Sequence, residues 1–246
     1  MKEITVATLV YLCLTATVAW GQEAMEFYNR GLKSSLAYKK IEYFTMALEL
    51  NPKLSAAYEK RGMVYYYKGK YNRAIQDFLK VTELKPFEPE AYRMLGLGYV
   101  KTGNFDEAIA NLTRALELDP ELASAYFQRA EAYRLQGMAA AAIRDSTKAI
   151  ELGGSELLIV RAYATRAKSY RDLGQSEAAN ADFKMASRIA SEYYIDNSAL
   201  VLLAEQSAES SRLERVGWIG IFGIIAVVFV VIFRLVLSAP KKDDGG

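Results

Sequence analysis

NLTRALELDP, the stretch from Asn111 to Pro120, decides the fold because two close versions of it stand earlier in the chain. Residues 43–52 read YFTMALELNP, and residues 78–86 read FLKVTELKP. In each copy apolar residues return every three or four positions, which is the spacing of one face of an α-helix. A proline then follows, and proline cannot continue the helical hydrogen-bond ladder. The three copies therefore predict one kind of helix that recurs along the chain.

Other residues recur at the same interval. Tyr58, Tyr92 and Tyr126 are 34 positions apart. The same spacing relates three further sets, which are Tyr65, Tyr99 and Tyr133, then Gly69, Gly103 and Gly137, then Ala74, Ala108 and Ala142. A fourth copy, displaced by three residues, contains Gly174 and Ala179. This pattern resembles the tetratricopeptide repeat (TPR), whose 34-residue unit is a helix–turn–helix.

The resemblance implies an all-α TPR solenoid. Four clear units together span residues 55–193, and a degenerate first unit covers residues 22–54. The unit boundaries are 55–88, 89–122, 123–156 and 160–193. The glycine after each first helix is expected to adopt a left-handed backbone conformation, as at many helix ends. A further helix over residues 194–215 is expected to cap the array and link it to the C-terminal segment.

Two uncharged apolar stretches flank the repeats. The first lies within residues 1–21 and ends in Ala19-Trp20-Gly21, whose small residues suit a signal-peptidase site. It is either a cleaved signal peptide or an N-terminal membrane anchor. The second predicts a transmembrane helix over residues 216–237, followed by a polar tail at 238–246. Either interpretation places the repeats on the extracytoplasmic side and the tail in the cytoplasm, with one span or two. The exception is a tail-anchored protein whose N-terminal segment packs into its own domain.

Composition argues against several classes of function. The 246 residues include no histidine and one cysteine, Cys13, so no zinc site, disulfide framework or Cys/His catalytic pair is expected. The net charge is only +2, which does not favour nucleic acid as a partner. No phosphate-binding loop or nucleophile motif occurs in the repeats. The sequence thus predicts a protein that is not an enzyme and uses no metal or cofactor.

In the TPR family, the first helices of the units line a concave groove that holds a protein or peptide. Carried over to this sequence position by position, the resemblance implies a groove whose residues change from apolar to basic along the array. Its predicted residues are Met63, Tyr66, Arg93, Leu97, Val100, Phe127, Arg134, Arg161, Lys168 and Arg171. An apolar segment with an acidic end would complement this grading.

The leading hypothesis is a membrane-anchored adapter that recruits a protein partner for assembly of a membrane or envelope complex. A first alternative is a structural subunit that uses helix edges and the transmembrane span instead of the groove. A second is an envelope protein associated with polysaccharide. The sequence alone leaves the partner open.

Overall fold

The computed structural model describes residues 6–193, with side chains from residue 20 onward, and this part of the chain forms ten α-helices. Their bounds are α1 Val6–Lys33, α2 Ala37–Leu50, α3 Ser55–Tyr67, α4 Tyr71–Leu84, α5 Pro89–Thr102, α6 Phe105–Leu118, α7 Ala123–Leu135, α8 Ala139–Leu152, α9 Glu156–Asp172 and α10 Ser176–Glu192. The predicted capping helix at 194–215, the predicted span at 216–237 and the tail at 238–246 lie outside the described residues.

Consecutive helices pair into hairpins, and each hairpin packs against the next. The first helices of neighbouring units also touch one another, α5 against α7 and α7 against α9. Because only the inner layer of a curved array brings alternate helices this close, the first helices form its concave side. This is the all-α solenoid that the repeat pattern predicts.

The turns inside the hairpins confirm the predicted role of glycine. Gly69, Gly103, Gly137 and Gly174 have φ values of 71°, 79°, 84° and 71°. A side chain at such a φ meets its own backbone, so glycine is strongly favoured where the first helix must reverse into the second.

Small residues on the first helices accept large residues from the second. A Cβ atom added to Gly62 would lie 2.6 Å from Cε1 of Phe78, and one added to Gly96 would lie 2.6 Å from Cγ of Leu112. Phe78 and Leu112 are both fully buried. The degenerate first unit packs in the same way, since Gly31 faces Phe44. Residues 22–50 therefore form a hairpin equivalent to the later ones.

An arginine joins neighbouring units at three places. Arg129 on α7 donates two hydrogen bonds to the carboxylate of Asp145 on α8, at 2.6 and 3.0 Å, and a third to Thr113 Oγ1 on α6, at 3.0 Å. The guanidinium thus clamps its own second helix to that of the preceding unit. Equivalent clamps are Arg61 with Asp77 and Thr45, and Arg166 with Asp182 and Thr147.

The second unit replaces the clamp by different chemistry. The positions equivalent to Thr113, Arg129 and Asp145 lie 34 residues earlier in the chain. They hold Leu79, Leu95 and Asn111, in that order. Leu95 is 2% exposed and belongs to the core around Phe78. The array therefore uses two solutions for one position, a buried ion pair and an apolar contact.

The three extra residues before the fourth unit lengthen a helix. Gly153 and Gly154 reverse the chain with φ values of 77° and 133°, and α9 then begins at Glu156 and runs for 17 residues. Ser155 caps it by accepting a hydrogen bond from the Leu158 N–H at 3.3 Å. The fourth unit accordingly starts its first helix four residues before the predicted boundary at 160.

Helix α1 is one continuous helix through the predicted boundary after Gly21. Across residues 6–193, none of the helices combines the length and the apolarity that a membrane crossing requires.

Candidate functional site

The concave side holds a cavity of about 640 Å³ whose lining comes from the first helices α3, α5, α7 and α9. We call this cavity the groove. Seven of the predicted residues lie on its lining, and they are Met63, Tyr66, Arg93, Leu97, Phe127, Arg161 and Lys168. Superhelical curvature brings these side chains together although they are up to 105 positions apart in sequence (Met63 to Lys168).

The other three predicted residues are placed differently. Val100 is only 5% exposed and packs in the hydrophobic core with Leu112 and Ala132, so it is not available to a ligand. Arg134 lies 4.0 Å from Asp172, and Arg171 is exposed. Arg134 and Arg171 lie beside the groove rather than on its lining, although both are near enough to influence Lys168 electrostatically.

One part of the groove is apolar. Phe127, which is 9% exposed, packs against Ala149 and Ala162 and presents its remaining surface to the cavity. Met63 and Leu97 add half-buried apolar surface. Such a surface gains free energy when a ligand displaces water from it.

Arg93 is already paired within its own helix. It donates to the carboxylate of Glu90, with Nε at 2.6 Å from Oε2 and Nη2 bonded to Oε1. The guanidinium therefore adds little net charge to the groove.

Lys168 is the half-buried cation of the groove. Burial lowers the pKa of its ammonium group, and the positive charges of Arg134 and Arg171 lower it further, while the carboxylates of Glu131 and Asp172 oppose them. Among the described residues no carboxylate lies within ion-pair distance of Lys168. A half-buried cation without an ion-pair partner favours an anionic ligand group, whose charge would offset the cost of desolvating the ammonium group.

Aromatic residues form the opposite wall. The Tyr66 ring lies 5.6 Å from that of Tyr67 and 5.4 Å from that of Tyr71. Burial raises the pKa of Tyr66 to about 12, with Tyr71 and Glu131 contributing, so its hydroxyl is neutral and can donate a hydrogen bond at physiological pH. Tyr66 on α3 and Arg161 on α9 line the same cavity, so these two helices face each other across the groove.

Sequence reasoning missed several lining residues. Tyr67 and Lys101 each follow a predicted groove residue, Tyr66 and Val100, by one position. Gln128 and Leu157 also line the cavity. A helical wheel of the first helices would place Tyr67 and Lys101 at the edge of the groove, because successive residues of an α-helix are about 100° apart around its axis. Leu157 lies in the extra turn of α9 and carries no positional signal.

Replacing Lys168 by methionine is expected to stabilise the protein by about 0.5–1 kcal/mol, because it removes a desolvated cation and keeps the buried stem. Chemical denaturation of the full chain in detergent would measure this. Lys184→Met, at an exposed position on α10, is the matched control and should change stability little. A destabilised Lys168→Met protein would contradict the electrostatic description of the groove.

Comparisons with known proteins agree with this architecture. A family profile described as "TPR repeat" matches residues 62–103 and 96–137, and one described as "Tetratricopeptide repeat" matches residues 123–152. The chain therefore contains tetratricopeptide repeats, arranged as an all-α TPR solenoid, which is the architecture of a protein-interaction scaffold. No match was found among curated protein sequences.

Solved structures show the same fold. A structure of MamA is 26% identical over 64% of this chain and 91% of its own, with a TM-score of 0.57. YrrB, described as a TPR protein with an unusual peptide-binding site, is 21% identical over 82% of this chain and 98% of its own, with a TM-score of 0.60. TTC0263, a TPR protein of Thermus thermophilus, is 18% identical over 78% of this chain and 98% of its own, with a TM-score of 0.57.

Proposed function

We propose that this protein is a membrane-anchored scaffold whose groove binds an apolar polypeptide segment that ends in an acidic group. The observation that carries the proposal is the combination of Phe127, Met63 and Leu97 with the desolvated cation Lys168 in one concave cavity. Apolar burial would supply affinity, and pairing of a carboxylate with Lys168 and Arg161 would set the orientation of the segment.

A cavity of about 640 Å³ suits a few residues of the partner rather than a whole domain. The partner would therefore present a short exposed segment, in extended or helical form, to the inner face of the array. Such binding makes the protein an adapter for assembly of a membrane or envelope complex, without chemistry of its own.

Membrane attachment is the second part of the proposal. We assign it to residues 216–237, whose uncharged apolar core is long enough to span a bilayer. With this span in the membrane, we propose that the repeats lie on its extracytoplasmic side.

The groove is tested by fluorescence anisotropy with the full chain in detergent micelles. The probes are fluorescein-labelled peptides in which Leu-Val-Phe-Leu is flanked on one side by four glutamates or, in the comparison probe, by four glutamines. We expect the glutamate probe to bind more tightly and Lys168→Met to remove that preference, while the exposed Lys184→Met leaves it intact. Binding of neither probe, or equal effects of the two variants, would count against the groove.

The apolar contribution has its own variant pair. Met63→Glu places a charge in the groove, and Met185→Glu places the same charge at an exposed position on α10 that is 39% accessible. We expect Met63→Glu, but not Met185→Glu, to weaken binding of both probes. Membrane attachment is tested separately, by resistance of the full chain to carbonate extraction and its loss when residues 216–237 are deleted.

A further inference from the structure

A second cavity, of about 500 Å³, lies at the edge of the array where the first helices turn into the second. It sits between the turns of the first and second full units, and we call it the notch. Its charged lining residues are Lys70, Arg73 and Lys101. Tyr71, Asn72, Thr102 and Asn104 supply further polar groups, and no acidic residue of the described chain is on its lining.

The notch adjoins the groove. Lys101 lines both cavities. The rings of Tyr66, which lines the groove, and Tyr71, which lines the notch, are in contact with their centroids 5.4 Å apart. A chain that leaves the groove over this aromatic pair therefore passes directly into the notch.

The cations of the notch are available to a ligand. In the part of the chain that the structure describes, Lys70 and Lys101 have no acidic partner, and all three cations are exposed. Arg73 stacks on the ring of Tyr65, with its Cζ atom 5.7 Å from the ring centroid, which holds the guanidinium in place without neutralising it. Helix α4 also begins beside the notch and has no acidic residue in its first turn, and helix N-termini favour negative charge.

Like charges gathered in a concave site attract an oppositely charged group more strongly than isolated surface lysines do. The notch therefore fits several carboxylates of one chain. It lies beyond the Tyr66 wall, whereas Lys168 lies on α9, the last of the first helices on the lining. Acidic groups at the two places would thus flank the apolar stretch in the groove.

We infer that the partner segment is acidic on both sides of its apolar stretch, with one acidic flank at Lys168 and Arg161 and the other in the notch. This inference rests on the proposed function of the groove and adds a second subsite to it. An acidic polypeptide is the occupant that the basic lining of the notch and its position next to the groove favour, since one chain can extend from the groove into the notch.

The test extends the groove experiment to a third fluorescein probe, in which four glutamates flank Leu-Val-Phe-Leu on both sides. A probe with glutamates on only one side leaves one of the two basic sites unfilled. The doubly acidic probe should therefore bind the full chain roughly tenfold more tightly than the singly acidic probe at low salt. This gain in affinity should shrink as added salt screens the charges. Lys70→Gln combined with Arg73→Gln should abolish the gain, while the singly acidic probe still binds through Lys168 and Arg161.

The matched control is Lys184→Gln combined with Arg188→Gln, which removes two exposed cations from α10 and should preserve the gain. A doubly acidic probe that binds no more tightly than the singly acidic ones would overturn the inference. So would equal losses in the two double variants, because the gain would then come from net charge. Binding of the singly acidic probes reports on the groove independently, so failure of the notch and failure of the proposed function are distinguishable.

Discussion

Replacing Asp145 by alanine is expected to lower the free energy of unfolding by about 3 kcal/mol, because the change leaves Arg129 buried without its counter-ion. The two side chains are 11% and 16% exposed, so water cannot replace the lost carboxylate fully. The bond from Arg129 to Thr113 ties the preceding unit to the same site, and its weakening should reduce coupling between units. Urea denaturation followed by circular dichroism would measure the loss.

The chain offers its own control for this prediction. The second unit carries Leu79, Leu95 and Asn111 at the positions of the clamp. The triple variant Thr113→Leu, Arg129→Leu and Asp145→Asn converts the clamp to that set. It should recover most of the stability that Asp145→Ala loses, because apolar residues of similar volume can often replace a buried ion pair. A triple variant as unstable as the single one would show that the clamp is required here.

Replacing Phe78 by alanine is expected to cost about 3–5 kcal/mol, the range for loss of a buried aromatic ring. Phe78 is fully buried, and its ring fills the space that Gly62 leaves open. The surrounding helices cannot close this space without moving the hairpin, so a cavity remains. The measurement is the shift in the urea midpoint at constant slope.

The neighbouring residue is the control for Phe78. Leu79 is 39% exposed on the same helix, so Leu79→Ala should change stability by less than about 1 kcal/mol. Equal losses for the two variants would mean that α4 contributes through helix propensity rather than through the packing of Phe78.

Much of the fold could be predicted from spacing because local physics decides it. Gly69 and Gly103 recur where the chain must reverse direction between two helices, and their positive φ values follow from that requirement alone. The pairing of small with large residues is also a local rule, since it concerns two helices of one hairpin. The extra residues before α9 were visible as an insertion, but their helical conformation depends on the cap at Ser155.

The groove was predictable only in part. Val100 occupies the same unit position as Tyr66, yet it is buried beside Ala132 of the next first helix. The position lies at the border between the inner face and the contact with the next unit, so the length of the side chain decides the outcome. The tyrosine at this position, Tyr66, reaches past that border into the groove, and the valine does not.

The sequence by itself determined the repeating unit, its turns and the two apolar stretches, because each depends on residues close together along the chain. Tertiary structure alone decided which residues share a cavity. Curvature of the array sets Tyr66 of α3 within electrostatic reach of Arg161 on α9 and lets Lys101 line both the groove and the notch. The Arg129 clamp likewise joins three helices, and no local pattern specifies where separate helices meet.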